Sequence, residues 1–151
     1  LVAKKNMTYD AKVLLLVPLL SIIDKVLEVV QNDPFFAQYT VAGVDGSMSL
    51  ATRRQAMESD FILSTTLSMG TGVDVKNLGA VVNFDQFSSP IIVEQIYGRL
   101  RDRGKETWYY DITDYVRQAR MFRTWGNKRR SLIPYFPGSH DDIKQLPDIK
   151  S

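Results

Sequence analysis

Lys12–Val17 (KVLLLV) sets five apolar residues in a row and stops at Pro18. Side chains of a strand alternate between its two faces, so such a run needs apolar cover on both. That demand points to a buried parallel strand. The next segment supplies part of the cover. Leu20, Ile23, Val26, Leu27 and Val30 recur at helical spacing, with Asp24, Lys25 and Glu28 opposite. The predicted helix ends near Asn32-Asp33-Pro34.

The alternation continues. Tyr39–Val44 reads as a second strand, and Ser47 or Ser49 can cap a short helix to about Glu58. Phe61–Thr65 reads as a third strand, followed by a glycine-containing loop, Thr66–Gly72. Ala80–Phe84 is the fourth predicted strand. Ser89-Pro90 suits the start of a helix to about Arg101. Thr107–Ile112 is the fifth strand, and a last helix is expected from about Asp114 to Arg130. Strands alternating with helices imply a three-layer α/β domain with a mostly parallel sheet and a C-terminal basic helix. Residues 1–133 form that domain, and the Pro- and Gly-containing stretch 134–151 is an irregular tail.

Composition narrows the chemistry. The 151 residues amount to one domain, with 44% hydrophobic and 24% charged residues. Cysteine is absent, which removes disulfides, thiolate metal sites and cysteine nucleophiles. The single histidine, His140, excludes clustered-histidine metal sites. The longest apolar run, Val13–Leu20, falls far below the ~18 residues that span a bilayer, so no membrane partner is expected. Leu1 at the first position and the lack of a signal-peptide pattern suggest a fragment of a longer intracellular protein.

The net charge of +2 hides an uneven distribution. Tyr115–His140 carries Arg117, Arg120, Arg123, Lys128, Arg129 and Arg130 and no acidic residue. The rest of the chain sets the other 13 basic residues against all 17 acidic ones. The basic block is either a phosphate footprint or a solvated helix face. Phe122 and Trp125, interleaved with it, suit either the core or base stacking.

No G-x-x-x-x-G-K-[ST] loop occurs, and Gly70-Thr71-Gly72 lacks the third glycine of a dinucleotide fingerprint, with Val75 in its place. Three other segments fall between predicted elements where chemistry is usually housed. Asp45-Gly46-Ser47-Met48-Ser49, followed by Arg53 and Arg54, lies at a helix N-terminus that suits an anion. Ser64 to Asp74 offers hydroxyls, two glycines and a carboxylate. Gln95 to Gly104 presents Arg99, Arg101 and Arg103 at a helix end. Singly, each has a plain structural use: a cap, a turn, a complement to the helix dipole.

Together they resemble the second RecA-like domain of superfamily-two helicases and translocases. Lys12–Val17 and its helix are similar to motif IV, and Gly46-Ser47 with Arg53 to the Gly-to-Arg element that follows. Thr66, Gly72 and Asp74 are spaced as in motif V; Gln95, Gly98 and Arg99 fit the Q-x-x-G-R of motif VI. The resemblance runs from about Ala11 to Asp114. One departure stands out: Asp102 occupies the place of the usual second motif VI arginine, flanked by Arg101 and Arg103. The compact Gln95–Asp111 stretch resembles helicases of phages and large DNA viruses.

The resemblance implies an ATP-dependent helicase whose nucleotide binds between two RecA-like domains. The partner domain, absent from this chain, would bring the phosphate loop and hold Mg²⁺. Arg99 with Arg101, or Arg103 in reserve, would reach the γ-phosphate, and Gly72, Asp74, Gln95 and Arg99 would line the ATP site. Ser47, Thr66, Arg117, Arg120 and Arg123 would follow nucleic-acid phosphates, DNA being the favoured strand over RNA. Two other readings remain open at this stage: a RecA-like binding module without catalysis, and a nucleotide-cofactor enzyme using the Gly70–Gly72 loop.

Overall fold

The computed structural model describes residues 11–69, 75–101, 106–112 and 120–132. Five strands, β1 (Lys12–Val17), β2 (Val41–Val44), β3 (Phe61–Thr65), β4 (Leu78–Asn83) and β5 (Trp108–Asp111), form one sheet in the order β2-β3-β1-β4-β5. Every pairing is parallel. The apolar run therefore lies at the sheet's centre. Leu15 stands opposite Leu63 on one side and Val82 on the other.

Five helices accompany the strands: α1 (Leu20–Gln31), α2 (Leu50–Ala56), α3 (Thr66–Met69), α4 (Pro90–Arg101) and α5 (Arg120–Leu132). Right-handed crossovers fix their layers. The chain moves outward from β1 to β2 through α1, then returns to β3 through α2. The two helices therefore fall on opposite faces. On one face Val17, Leu63 and Ile23 of α1 form a core. On the other, Leu14, Leu16, Ile62 and Val81 pack against Met57, Ile96 and Leu100. Burying each such side chain contributes roughly 1.5–3 kcal/mol. Gly43 lets α1 approach β2 closely: a Cβ there would sit 2.6 Å from Ile23 Cγ2.

Some boundaries differ from the sequence-based expectation. Tyr39 and Thr40 lie outside β2. Asp33 accepts a hydrogen bond from the Phe35 amide and starts a 3-10 turn, Pro34–Gln38, in place of an early strand. The rings of Phe36 and Tyr39 then pack edge-on against Phe61. Ser49, not Ser47, caps α2, which ends at Ala56. Thr66–Met69, expected as loop, is a helical turn. The sheet is parallel throughout its described strands. The last helix continues to Leu132; its expected first residues and the 134–151 tail lie outside the described residues.

Candidate functional site

Functional residues of parallel sheets gather at the strands' C-terminal ends. Here the strand order reverses about β1, so the ends of β3 and β4 flank it on either side. At the end of β3, the Thr65 hydroxyl accepts the Ser68 amide (3.2 Å) and donates to Ser68 Oγ (2.9 Å). That winds the chain into α3 at once. The Ser68 carbonyl accepts from Arg53 Nη2 at 2.8 Å, tying α2 to the turn. Arg53 is buried, so its place in the Gly-to-Arg segment is structural as well.

Thr66 reaches across the end of β1. Its hydroxyl donates to Asp85 Oδ2 at 2.5 Å. Asp85 is set by the end of β4: its amide donates to Asn83 Oδ1 (3.0 Å), and Asn83 Nδ2 donates back to its carbonyl (3.0 Å). The Gln86 amide donates to Asp85 Oδ1 at 2.7 Å. Asn83 is fully buried, so this small ring of bonds fixes the loop from beneath.

Beside Thr66 a narrow crevice opens between the sheet and α4. Its floor is Leu14, Leu16, Leu78 and Val81, and its wall is Ile92, Gln95, Ile96 and Arg99. Those four α4 residues fall at i, i+3, i+4 and i+7, one helical face. Pro90 opens α4, and the Val93 amide donates to the Ser89 carbonyl at 3.2 Å. The crevice is narrow, with room for no more than about one water molecule, less than a nucleotide needs. Thr66, Gln95 and Arg99 thus meet at one place. Gly98, on the same helix, faces open space: a Cβ there would meet nothing within 4 Å. A helix-interior glycine costs about 0.5–1 kcal/mol relative to alanine, and no packing among the described residues requires it.

The other expected residues lie elsewhere. Ser47 is exposed, its amide donating to Asp45 Oδ1 (2.8 Å); a Cβ on neighbouring Gly46 would lie 3.8 Å from Ser68 Oγ, so this loop sits against α3. The first turn of α2 is occupied by its own cap, with the Thr52 amide on Ser49 Oγ at 3.2 Å. Arg123 is exposed on α5, which joins the β5 edge, opposite the β2 edge that carries Ser47. Arg101 is the last residue of α4 and Arg120 the first of α5; their side chains lie outside the described residues, as do Gly72, Asp74, Arg103 and Arg117.

One basic residue turns inward, contrary to a reading of the whole block as surface. Arg129 is 1% exposed. Its Nε and Nη2 take both oxygens of Asp111 at 2.7 and 2.9 Å, and Nη1 donates to the Phe87 carbonyl at 2.5 Å. Nη2 also lies 3.4 Å from Gln86 Oε1, and the guanidinium stands 5.3 Å from the Phe87 ring centre. Burial, then the Asp111 charge, pushes the Tyr109 phenol above its ordinary range. It therefore stays protonated and donates to Asp111 at 3.3 Å. Two features escape a reading of the sequence: the Asn83–Asp85 turn and the Asp111–Arg129 pair. The available signals are polar residues closing apolar or aromatic strands, AVVNFD and WYYD.

An all-parallel sheet of this order, covered by helices on both faces, defines a RecA-like α/β domain. The chain belongs to the helicase conserved C-terminal domain family, whose model matches residues 2–104. Among curated proteins, none matches the sequence. Solved structures share the fold. The C-terminal part of the Fun30 ATPase domain aligns over 79% of this chain and 39% of its own, with 17% identity and a TM-score of 0.62. T4 UvsW aligns over 89% of this chain and 30% of its own, with 18% identity and a TM-score of 0.61. Domain 2 of the DEAD-box helicase Mss116p, bound to an RNA duplex, aligns over 68% and 41%, with 18% identity and a TM-score of 0.56. The chain thus spans less than half of each of these three. No helix among the described residues is long and apolar enough to cross a membrane.

Proposed function

We propose that this chain is the C-terminal motor domain of an ATP-dependent nucleic-acid helicase or translocase, sharing its ATP site with a second RecA-like domain. The observation that carries this reading is the crevice where Thr66, Gln95 and Arg99 meet. It has polar donors at its rim, an apolar floor, and too little room for a nucleotide. That is half of a site. The open space at Gly98 fits a close approach by the other half.

Arg99 then faces the transferring phosphoryl group. A planar guanidinium stabilises charge spread over the phosphoryl oxygens, an effect worth roughly 10³–10⁵ in rate. Gln95 orients the same group, with Gly72 and Asp74 completing the lining and Arg101 or Arg103 serving as the second arginine. The donors suit an anion, and no His, Asp or Glu cluster among the described residues is arranged for a metal. The Mg²⁺ that the family resemblance implies would be held by the partner domain, and would supply charge neutralisation on the phosphates.

Thr66 and Ser47, on adjoining loops, take phosphate oxygens without reading bases. Arg123, with Arg117 and Arg120, would extend that track at the opposite sheet edge. The Thr66 hydroxyl has one hydrogen, which Asp85 holds in the structure. A phosphate that takes it releases Asp85, and the strand and the crevice become coupled. DNA is favoured as the strand, and the protein is placed with nucleic acid inside the cell.

The test is hydrolysis of ATP, with and without nucleic acid, by this chain alone and by this chain joined to a phosphate-loop domain. The expected result is no turnover alone and stimulated turnover when joined. Robust hydrolysis by the 151 residues alone would overturn the half-site. The alternative, a RecA-like binding module without catalysis, predicts strand binding with no hydrolysis in either form.

A further inference from the structure

We infer that Arg129 is a positioning residue for the site: from the C-terminal helix, it sets the loop that holds Asp85 against Thr66. The inference rests on the motor reading above for its activity test, and on geometry alone for its structural test.

The guanidinium is placed as a strut between three parts of the fold. Its Nε and Nη2 hold the carboxylate of Asp111 at the end of β5. Its Nη1 holds the Phe87 carbonyl in the loop from β4 to α4. Nη2 also lies within reach of Gln86 Oε1, and the plane lies against the Phe87 ring. Four bonds from one rigid fork leave the loop little freedom, because a planar guanidinium cannot satisfy one partner and drift from the next. The residue beside Gln86 is Asp85. The Gln86 amide donates to one Asp85 oxygen, and the Thr66 hydroxyl donates to the other. A contiguous line of bonds therefore runs from α5, through Phe87, Gln86 and Asp85, to Thr66 at the crevice.

An ion pair serving only stability needs Asp111 and Arg129. It has no need of the Phe87 carbonyl, which belongs to the segment leading into α4, where Gln95 and Arg99 stand. Arg129 thus braces two sides of the crevice: Thr66 through Gln86 and Asp85, and α4 through its entry. The same helix exposes Arg123 on its other surface. Movement of α5 under a bound strand would therefore reach the site through Arg129.

Arg129→Lys separates positioning from plain stability. Lysine keeps a buried cation opposite Asp111, yet one ammonium cannot span Asp111 and the Phe87 carbonyl in the same geometry. Ile23→Ala, in the core on the opposite face of the sheet, is the control for lost stability. In the joined two-domain protein, Arg129→Lys should lower nucleic-acid-stimulated kcat about tenfold at unchanged KM for ATP, as should Thr66→Val. The double variant should fall no further than the worse single, since both act on one contact. Ile23→Ala should leave stimulated kcat unchanged. In the 151-residue chain, Arg129→Lys should speed exchange of the Gln86 amide about tenfold while β1 amides hold their rates.

Multiplying effects in the double variant, near a hundredfold, would overturn the inference, as would an Arg129→Lys protein behaving like Ile23→Ala. Should the joined protein show no stimulated hydrolysis, the motor reading falls, and amide exchange alone decides: an unchanged Gln86 rate in Arg129→Lys refutes the strut. If Arg129→Lys does not fold, Asp111→Asn loosens the same fork from β5, and the same readouts apply.

Discussion

Arg99 and Arg129 are 30 positions apart on two packed helices, yet they have opposite surroundings. Arg129 is sealed in, and its fork is bound to a carboxylate, a backbone carbonyl and a side-chain amide. Arg99 is half-buried at the rim of a crevice that holds almost nothing. A buried charge must find its partners within the fold. The contrast separates an arginine sealed into the fold from one that lines the crevice, and residue type alone gives no hint of which is which.

The largest expected effect lies on the rim. Arg99→Ala in the two-domain protein should cut nucleic-acid-stimulated hydrolysis by about 10³-fold, with nucleotide binding retained by titration and the fold retained by circular dichroism. Hydrolysis within a factor of a few of the parent protein would remove Arg99 from the mechanism. Arg129→Ala should act on the fold instead. It removes both guanidinium bonds to the partly exposed Asp111 and leaves it the Tyr109 hydroxyl, costing about 3 kcal/mol in denaturant unfolding of the chain, the low end for breaking a buried pair. A loss below about 1 kcal/mol would mean that water replaces the fork, and the contrast would collapse.

Gly98→Ala sharpens the same division from the other direction. In the isolated chain it should stabilise by roughly 0.5–1 kcal/mol, since the helix gains alanine and the new methyl meets nothing. In the two-domain protein it should lower turnover, because the space belongs to the partner. Equal turnover in both would show that nothing approaches α4 there. The smallest effect is expected at Arg123. Its loss should leave stability within about 0.5 kcal/mol and flatten the salt dependence of nucleic-acid binding by about one in log–log slope. An unchanged slope would make the outer face of α5 simply solvated.

Much of the architecture is legible in the chain. KVLLLV demands cover on both faces, and the structure buries it centrally between helical layers. Ser89-Pro90 begins α4 as its chemistry dictates. Local hydrogen bonding hides other parts. Thr65 can bond forward to Ser68, so a stretch with loop composition coils into α3. Asp33 caps a turn that displaces the start of β2. Thr66, Gln95 and Arg99, which line one crevice, stand out through the motifs of the family resemblance, while Asp85 and Arg129 do not. Asp85 matters only because β4 ends beside β1, and Arg129 only because α5 rotates that one residue inward. Neither fact is local in sequence.

The position of β1 also shapes how the protein is made. It is the first described strand in the chain, but its neighbours arrive with Phe61–Thr65 and Leu78–Asn83. Until then the most apolar segment of the molecule has both edges unpaired as the chain leaves the ribosome, the condition in which strands join other copies. Lys12 and Pro18 bracket it, a charge and a missing donor that work against such pairing. Both edges of β1 are paired only once β4 is in place beside it.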